Sequence, residues 1–299
     1  MIGKFKNEEC VILENEFLRA VILPFFGGKT VSVYDKKNDF ELLFQNKNEK
    51  YISQPFDSDF SKYDASGFDD AFPNLDGGIF EGVRYPDHGE IRSLEMICSH
   101  IDNNSVSMQT NSSRFGYTYE KNISLNGRTL CYRYKIQNNS DKTLPCFWTM
   151  HCLMRCEEDM EILLPDDAVI NALDSELLGA EGTKHKFPLT DDGINIGHIF
   201  DSAGKYEKFY ADGAVNTGEC RARYNRSHEQ LMVRWDKEVL PYLGFWITKG
   251  GYRGDYNCAF EPSSGYYDSM ERAEKNKTLW YLAKNEIKSF DINLTLESV

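Results

Sequence analysis

Short segments in which apolar and polar residues alternate recur from one end of the chain to the other. In Thr129–Ile136 every second residue, beginning with Leu130, is aliphatic or aromatic. Lys288–Leu296 repeats the pattern, with Phe290 opening its apolar face. A period of two places alternate side chains on opposite faces of an extended strand, so both stretches are predicted to be half-buried strands. Helical periodicity is scarce, and the chain is therefore predicted to be rich in β-structure.

Turn residues lie between these segments, as expected for antiparallel hairpins. Asn126-Gly127 precedes Leu130, and both residues tolerate the positive φ of a tight hairpin turn. The sequence predicts an all-β, antiparallel architecture of two packed sheets with few short helices. Further strands are predicted at Leu18–Leu23, Thr30–Tyr34, Glu41–Phe44, Ile91–Ile97, Ser105–Gln109, Tyr117–Ile123, Leu231–Trp235, Leu243–Ile247 and Thr278–Leu282.

The length of the chain is compatible with one large domain. It has 299 residues, and all-β sandwiches and barrels often reach roughly 250 residues as one unit. No repeat, low-complexity tract or linker interrupts the sequence, so a single domain over residues 1–299 is predicted. Tyr51–Pro86 and Asp166–Lys208 break the strand rhythm. Loops of this length in a compact domain are usually functional or disordered, and the aromatic residues of the first favour order.

The charge of the chain excludes several classes of partner. The formal net charge is −13, and no stripe of Lys and Arg interrupts the acidity. Such a surface repels phosphate backbones and anionic lipids, so neither nucleic-acid nor membrane partners are expected. Glu9, Glu14 and Glu16 break the apolar runs of the N-terminus, which leaves no recognisable signal peptide. A cytoplasmic location is expected, and the oligomeric state stays open, a homodimer included.

The eight cysteines are scattered and form no Cys-x-x-Cys pair. Buried, reduced thiols are the expected state. Cys152 and Cys156 are four residues apart, but two further ligands at zinc spacing are missing. No metal site is therefore predicted.

Polar groups concentrate beside glycines and aromatic residues in four segments. A carboxylate and a histidine supply one group that accepts a proton and one that donates it near neutral pH, once burial and neighbours tune their pKa values. This chemistry requires no cofactor, and none is predicted. The segments are Ser66–Pro73, Pro86–Glu90, Phe147–His151 and Cys258–Gly265.

Each candidate in these segments has an ordinary structural interpretation beside the functional one. Partial desolvation at the end of an apolar strand would make Glu261 a better base, but a solvated strand-end glutamate is commoner. His151 lies in a nearly apolar run, where a histidine is more often part of the core. His88 lies on a tight turn that either presents it to a cleft or leaves it exposed. Asp69 and Asp70 fit the usual role of aspartate near glycine in turns.

The four segments, in this order and approximate spacing, resemble the aldose 1-epimerase (galactose mutarotase-like) family, particularly its divergent bacterial branch. Leu18–Asp35 looks like the family's first strand pair with its Gly-Gly turn. Pro86–Glu90 is similar to its histidine-glycine motif, and Trp148–His151 to its second histidine. Leu243–Asp268 is similar to the segment that bears its catalytic glutamate. The similarity spans nearly the whole chain.

This resemblance implies a β-supersandwich with a sugar cleft on one sheet. Glu261 would be the base that removes the proton from the anomeric hydroxyl, and His151 the acid that protonates the ring oxygen. Opening of the pyranose, rotation about C1–C2 and reclosure would give the other anomer. His88 would bind and polarise the same region of the sugar, and Trp246 and Lys249 are further predicted sugar contacts.

The sequence departs from the family pattern around the predicted sugar contacts. Galactose mutarotases proper carry an asparagine-arginine pair before the first histidine, and here Asp70 is expected to take over that contact. A preference for galactose is therefore not predicted. Relatives that epimerise hexose phosphates use basic residues for the phosphate, and Arg84, Arg92, Lys249 and Arg253 keep that alternative open.

Three functions are consistent with these residues. An aldose 1-epimerase without cofactor is the leading hypothesis, with a free sugar or a sugar derivative as its substrate, and a hexose-phosphate epimerase is an alternative. A carbohydrate-binding module that retains the cleft but not the turnover is the second. A metal-dependent β-sandwich enzyme that uses His88, Glu90, His151 and Asp70 ranks last, because the sequence lacks a His-x-His pair.

Overall fold

The computed structural model describes residues 1–52, 54–63, 65–165, 168–198 and 204–299. Strands dominate this part of the chain. The helices in it are short: 3-10 helices at Pro24–Phe26, Phe60–Lys62 and Ile91–Ser93, and the α-helix α1 at Met270–Lys275. The strands are β1 (Ile2–Phe5), β2 (Glu8–Glu14), β3 (Leu18–Leu23), β4 (Lys29–Asp35), β5 (Phe40–Glu41), β6 (Phe68–Ala71), β7 (Gly78–Phe80), β8 (Val83–Tyr85), β9 (Ile97–Ile101), β10 (Ser105–Asn111), β11 (Tyr117–Asn126), β12 (Thr129–Asn138), β13 (Leu144–Cys146), β14 (Thr149–Cys152), β15 (Met154–Arg155), β16 (Met160–Leu163), β17 (Val169–Ser175), β18 (Lys184–Lys186), β19 (Lys205–Ala211), β20 (Glu219–Tyr224), β21 (Glu229–Trp235), β22 (Tyr242–Lys249), β23 (Tyr256–Ser263), β24 (Trp280–Leu282) and β25 (Ile287–Ser298).

Two extended sheets are formed by most of these strands. The larger has 13 strands among the described residues, in the order β1-β2-β3-β4-β6-β14-β23-β22-β19-β17-β18, with β5 beside β4 and β15 beside β23. The smaller has 8 strands, in the order β16-β20-β21-β25-β12-β11-β10-β9. Neighbouring strands run antiparallel in both sheets. The result is the antiparallel β-supersandwich that the sequence predicts.

The hydrophobic core lies between the two sheets. Phe260 and Ile247 of the larger sheet belong to the same buried cluster as Tyr132 and Ile292 of the smaller sheet. Because side chains alternate along a strand, the neighbours of these core residues on the larger sheet point to its other face. That outer face is where polar residues of the larger sheet can meet a ligand.

Most strands predicted from alternation are confirmed, and the hairpin turn at Asn126-Gly127 joins β11 to β12. The strand predicted at Ile91–Ile97 is wrong in most of its length, because Ile91–Ser93 is a 3-10 helix and β9 begins at Ile97. The backbone turns here, since Leu94 N–H bonds the carbonyl of Ile91 instead of a neighbouring strand. Alternation alone does not distinguish such a turn from a strand.

Two other predictions on local structure need correction. The strand at Glu41–Phe44 shrinks to β5, because the carboxylate of Glu41 accepts hydrogen bonds from the backbone N–H groups of Val33 and Leu43. The region Asp166–Lys208, interpreted as turns and short mixed segments, holds β17, β18 and the start of β19. Residues 166–167 and 199–203 of that region lie outside the described residues.

No helix in the described part of the chain has both the length and the apolar character needed to cross a membrane.

Candidate active site

A cavity of about 480 Å³ lies on the outer face of the larger sheet. Strand β23 shows how the sheet divides its side chains: Phe260 belongs to the core, whereas Asn257 and Glu261 line the cavity. The cavity is lined by Phe60, Ala65, Leu75, Asp76, His88, His151, Leu153, Leu173, Asp174, Tyr206, Lys208, Trp246, Tyr252, Asp255, Asn257, Glu261, Asp268 and Arg272. Four of the six residues predicted from sequence are in this set: Glu261, His151, His88 and Trp246.

Glu261 lies within β23 rather than at the strand end expected from the sequence, and it is 1% exposed. Its Oε2 atom contacts the ammonium group of Lys208. Burial raises the pKa of Glu261 above its ordinary value, and the charge of Lys208 opposes that rise. A buried carboxylate with a raised pKa is a stronger base than a solvated one.

Lys208 is the site residue that sequence reasoning missed. It lies on β19, and its side chain is 7% exposed. Its Nζ atom is 3.7 Å from Oδ2 of Asp268, whose other oxygen accepts a hydrogen bond from Tyr210. The alternation of Tyr206, Lys208 and Tyr210 was a signal for this strand, but the strand begins inside a region interpreted as loops.

His151 lies on β14 between Met150 and Cys152, both of which belong to the core. The alternation of the strand therefore turns its imidazole to the cavity. The residue is 6% exposed, and its Nδ1 atom has no hydrogen-bond partner among the described residues. Burial, followed by the charges of His88 and Lys208, lowers the pKa of His151 well below 6.5. His151 is thus a neutral imidazole near pH 7 and, when protonated, a strong acid.

His88 reaches the cavity from a tight turn with a φ of 56°. Gly89 has a φ of 71°, and a Cβ atom there would lie 2.3 Å from the carbonyl oxygen of Phe72, so the turn requires glycine. Nδ1 of His88 is 2.7 Å from Oδ1 of Asp87. Burial would raise the pKa of Asp87, but the hydrogen bond and charge of His88 lower it to about 2. This ionised carboxylate orients the His88 ring.

The two imidazoles face each other beside an aromatic ring. Their centroids are 4.8 Å apart at 80°. Phe60 stacks on His88 with centroids 4.0 Å apart, and meets His151 edge-on at 5.1 Å. These contacts fix both rings and exclude water from one side of each.

Trp246 and its neighbours form an aromatic wall of the cavity. Tyr206 stacks on Trp246 with centroids 5.5 Å apart, and Tyr252 meets it at 88° and 5.6 Å. The indole N–H donates a hydrogen bond of 3.1 Å to Oδ1 of Asn257. Aromatic faces of this kind stack on the apolar faces of sugar rings.

Asp70 does not lie where the sequence interpretation placed it. It is 2% exposed and points to the core, where Oδ2 is 2.9 Å from Nζ of Lys121 and Oδ1 accepts a 3.0 Å hydrogen bond from Tyr134. Lys249 is three positions from Trp246 on β22, an odd spacing that turns its side chain to the opposite face. The structure therefore brings neither residue to the cavity wall.

The arginines considered for phosphate binding also have other positions. Arg84 pairs with Asp57 at 2.9 Å on the surface. Arg92 is buried behind Phe60 and donates a 2.9 Å hydrogen bond to the carbonyl of Ser58, and burial lowers its pKa. Arg253 lies beside a wall residue, with Nε 3.9 Å from Oδ2 of Asp255.

The four residues considered for a metal enzyme do not converge. His88 and His151 meet in the cavity, whereas Asp70 faces Lys121 in the core. Burial raises the pKa of Glu90, and the groups that act on it are Ser112, Tyr117 and Arg114, none of which lines the cavity. Across the described ranges, no cluster of three or more His, Cys, Asp or Glu side chains has a geometry for a metal ion.

Carboxylates outnumber cations around the cavity. Asp76, Asp174, Asp255, Glu261 and Asp268 line it, against Lys208 and Arg272. Arg272 is engaged by Glu181 at 2.6 Å. Burial, with the nearby charge of Asp268, raises the pKa of Asp76 to about 6. The cavity therefore offers hydrogen-bond acceptors to hydroxyl groups and repels anions.

Solved structures with the same fold cover nearly the whole chain. A galactose mutarotase related enzyme from Lactobacillus acidophilus superposes with a TM-score of 0.73 at 16% identity, over 97% of this chain and 97% of the other. A provisionally assigned aldose 1-epimerase from Escherichia coli K12 gives 0.72 at 16% identity, over 97% and 99%. A galactose mutarotase-like protein from Clostridium acetobutylicum gives 0.70 at 14% identity, over 100% and 98%.

Neither a known family profile nor a curated protein sequence matches the chain. At identities this low the structural likeness establishes the fold alone. The resemblance found in the sequence is thus confirmed at the level of the galactose mutarotase-like fold.

Proposed function

We propose that this chain, which has the galactose mutarotase-like fold, is an aldose 1-epimerase that interconverts the anomers of a free aldose without a cofactor. One observation carries the proposal: Glu261 and His151, 110 positions apart in the sequence, line one cavity together with His88 and Trp246. A base, an acid, an orienting imidazole and an aromatic wall for the sugar are the parts that this reaction requires.

The reaction needs two coordinated proton transfers. The Glu261 carboxylate takes the proton of the C1 hydroxyl, and the C1–O5 bond breaks as protonated His151 gives its proton to the ring oxygen. The open-chain aldehyde rotates about C1–C2. Reclosure reverses both transfers: His151 regains its proton from the C5 hydroxyl, and Glu261 returns its proton to the new C1 hydroxyl. No proton or electron is gained or lost in the cycle.

The electrostatics of the cavity support these roles. The raised pKa of Glu261 makes the carboxylate a stronger base, and the lowered pKa of His151 makes the imidazolium a stronger acid. Once His151 is protonated, both shifts favour ring opening, and each positioned proton-transfer group contributes about 10²–10⁴-fold. His88, oriented by Asp87 at 2.7 Å, is placed to hold the sugar beside His151.

The charge of the lining favours a neutral aldose over a sugar phosphate or a uronic acid. Five carboxylates face the cavity, and Lys208 already contacts Glu261. Arg84 and Arg92 are engaged elsewhere, with Asp57 and with a backbone carbonyl. A phosphate on the substrate would therefore meet more repulsion than attraction.

NMR measurement of anomer exchange across a panel of neutral aldoses, uronic acids and hexose phosphates tests this proposal. We expect wild-type protein to accelerate exchange of a neutral aldose above the buffer rate. Glu261→Gln should lower that acceleration by about 10²–10⁴-fold, because the amide cannot accept the proton. His151→Asn should act in the same direction. Glu120→Gln, which changes a strand glutamate of the smaller sheet, is the matched control and should leave the rate unchanged.

Saturable sugar binding without accelerated exchange in wild-type protein would instead identify a binding module. Accelerated exchange confined to hexose phosphates would contradict the proposed substrate class. Exchange that survives Glu261→Gln at the wild-type rate would remove Glu261 from the reaction.

A further inference from the structure

Lys208 is buried at the base of the cavity between two carboxylates. Its side chain is 7% exposed, and its ammonium group contacts Oε2 of Glu261. The second carboxylate is Asp268, with Oδ2 3.7 Å from Nζ. Burying an ammonium group is costly unless charge partners compensate it, so this position is specific for a cation with anionic neighbours.

Because Oε2 of Glu261 contacts Lys208, one oxygen of the carboxylate is left to accept a proton from a ligand. Oε2 faces the ammonium group, and Oε1 is the atom that remains to accept a proton from a ligand. Gly244, the strand neighbour of Glu261, makes room for this arrangement. A Cβ atom on Gly244 would lie 3.2 Å from Oε2 and 3.0 Å from the ring of Tyr210.

Tyr210 and Asp268 hold the ammonium group in place. The Tyr210 hydroxyl donates to Oδ1 of Asp268, which leaves Oδ2 on the side of Lys208. Lys208 and Tyr210 are two positions apart on β19, so both point to the cavity face. Burial raises the pKa of Tyr210 well above its ordinary value, and the hydroxyl therefore stays a donor.

We propose that Lys208 is a positioning residue for the reaction proposed above: it keeps the Glu261 carboxylate ionised in a buried site and fixes it with Oε1 free for the C1 hydroxyl. The inference rests on the proposed function in one respect: the proposed function names a sugar C1 hydroxyl as the proton donor to Glu261. The effect of Lys208 on the charge state of Glu261 does not depend on that function.

The pair of carboxylates explains how one lysine serves the whole cycle. While Glu261 is ionised, Lys208 compensates its charge. When Glu261 accepts the substrate proton and becomes neutral, Asp268 remains as the anionic partner of the ammonium group. The lysine is never left as an uncompensated buried charge, which would cost several kcal/mol or about three orders of magnitude in population.

Substituting Lys208 tests the inference by two independent readouts. In Lys208→Met the carboxyl group of Glu261 loses its cation, so its pKa should rise by at least about one unit. Carboxyl-labelled glutamate followed by NMR across pH, with Glu261→Gln to assign the signal, measures this directly. In the same variant the acid limb of kcat/KM should move to higher pH by a similar amount.

Lys208→Arg separates charge from position. The guanidinium group keeps the positive charge but has a planar, larger shape. We expect the Glu261 titration to stay near its wild-type position while kcat falls. Lys205→Met is the matched control, since Lys205 is on the same strand three positions away and points to the other face. In Lys205→Met, the titration of Glu261 and the rate of anomer exchange should match those of the wild type.

The inference is overturned if Glu261 titrates at the same pH in wild type, Lys208→Met and Lys208→Arg. Loss of activity in Lys208→Met with an unmoved acid limb would also overturn it, because that result describes a packing role. If Lys208→Met does not fold, the titration in Lys208→Arg and Lys208→Gln decides. If wild-type protein accelerates no aldose, the proposed function fails, and the carboxyl titration still tests Lys208.

Discussion

Glu261 and His151 have pKa values displaced toward each other, one upward from 4.5 and one downward from 6.5. The reactive form of the pair holds a single proton. It is lost at low pH, where both groups are protonated, and at high pH, where both are deprotonated. The pH dependence of kcat/KM reports the groups of the free enzyme. We therefore expect a narrow bell-shaped profile whose alkaline limb lies below pH 6.5, measured as anomer exchange above the buffer rate.

The His151→Asn variant provides the control for this profile. Its residual activity should retain the acid limb, which belongs to Glu261, and lose the alkaline limb. A wild-type rate that stays constant from neutral into alkaline pH would contradict the assignment of His151 as the acid.

Single residues show what pattern and resemblance can and cannot locate. Glu261, His151 and His88 carry recognisable neighbours in the sequence, and the structure brings all three to one cavity. Lys208 has no motif of its own, and its role depends on a contact with a residue 53 positions away. Such long-range pairs are set by strand order, which a single sequence does not reveal.

Strand β6 shows how a shift of one position moves a side chain to the opposite face of the sheet. Asp69 pairs with Lys29 at 2.9 Å, and Asp70 pairs with Lys121 at 2.9 Å on the opposite side of the strand. Both aspartates fit a turn in the sequence, and Asp70 alone was expected to contact the sugar. Because side chains alternate along a strand, only knowledge of which face is buried distinguishes them.

Asp70→Ala should destabilise the fold because it leaves the Lys121 ammonium group buried without its carboxylate partner. Both side chains are fully buried, at 0% exposure. Removing one member of a buried ion pair typically costs about 3–5 kcal/mol. We expect a loss of that size in the free energy of unfolding, measured by chemical denaturation.

The double variant Asp70→Ala/Lys121→Met separates the ion pair from packing. It should regain much of the stability lost in Asp70→Ala, since no buried charge is left. If Asp70→Ala instead keeps wild-type stability and weakens only sugar binding, Asp70 acts on the substrate as the sequence first suggested.

Strands were predicted correctly where one face of the strand is buried in the core and the other is more exposed. In β12 and β25 buried and more exposed residues alternate along the strand, which the periodic pattern records. The Ile91–Ser93 turn and the short β5 depend on hydrogen bonds from Leu94 and to Glu41. Those contacts are local turns, and they leave no period of two in the sequence.

At the scale of the whole molecule, a cluster of charges joins the two sheets. Arg128, in the β11–β12 turn of the smaller sheet, contacts Asp35 of β4 in the larger sheet. It also approaches Glu229 of β21 at 3.4 Å. Burial, together with the proximity of Asp35, raises the pKa of Glu229 to about 7. Below about pH 7, Glu229 thus holds a proton at the sheet junction in the folded state.

Glu229→Gln should stabilise the protein at alkaline pH. The folded-state pKa of about 7 exceeds the ordinary value of 4.5, so the folded chain binds more protons in that window and wild-type stability falls as pH rises through it. An amide mimics the protonated carboxyl and does not titrate. We expect Glu229→Gln to exceed wild type by about 1–2 kcal/mol in unfolding free energy above neutral pH.

Glu297→Gln on the neighbouring strand β25 is the control, and its stability should follow the wild-type pH dependence. Chemical denaturation between about pH 5 and 9 covers the window. If the difference in unfolding free energy between wild type and Glu229→Gln stays constant with pH over this range, Glu229 is ionised throughout and the junction does not hold a proton.

The walls of the cavity have two different origins. Strands that also build the core supply Glu261, His151 and Lys208. Phe60 and Tyr252 come from a 3-10 helix and a turn outside the sheet. The proposed acid and base are thus tied to residues that cannot move without disturbing the fold, while part of the cavity wall comes from segments outside the sheet. Laboratory evolution aimed at a new sugar would accordingly begin at Tyr252. It would keep Phe60, which packs against both imidazoles, and Gly251, where a Cβ atom would lie 2.4 Å from the backbone of Lys205.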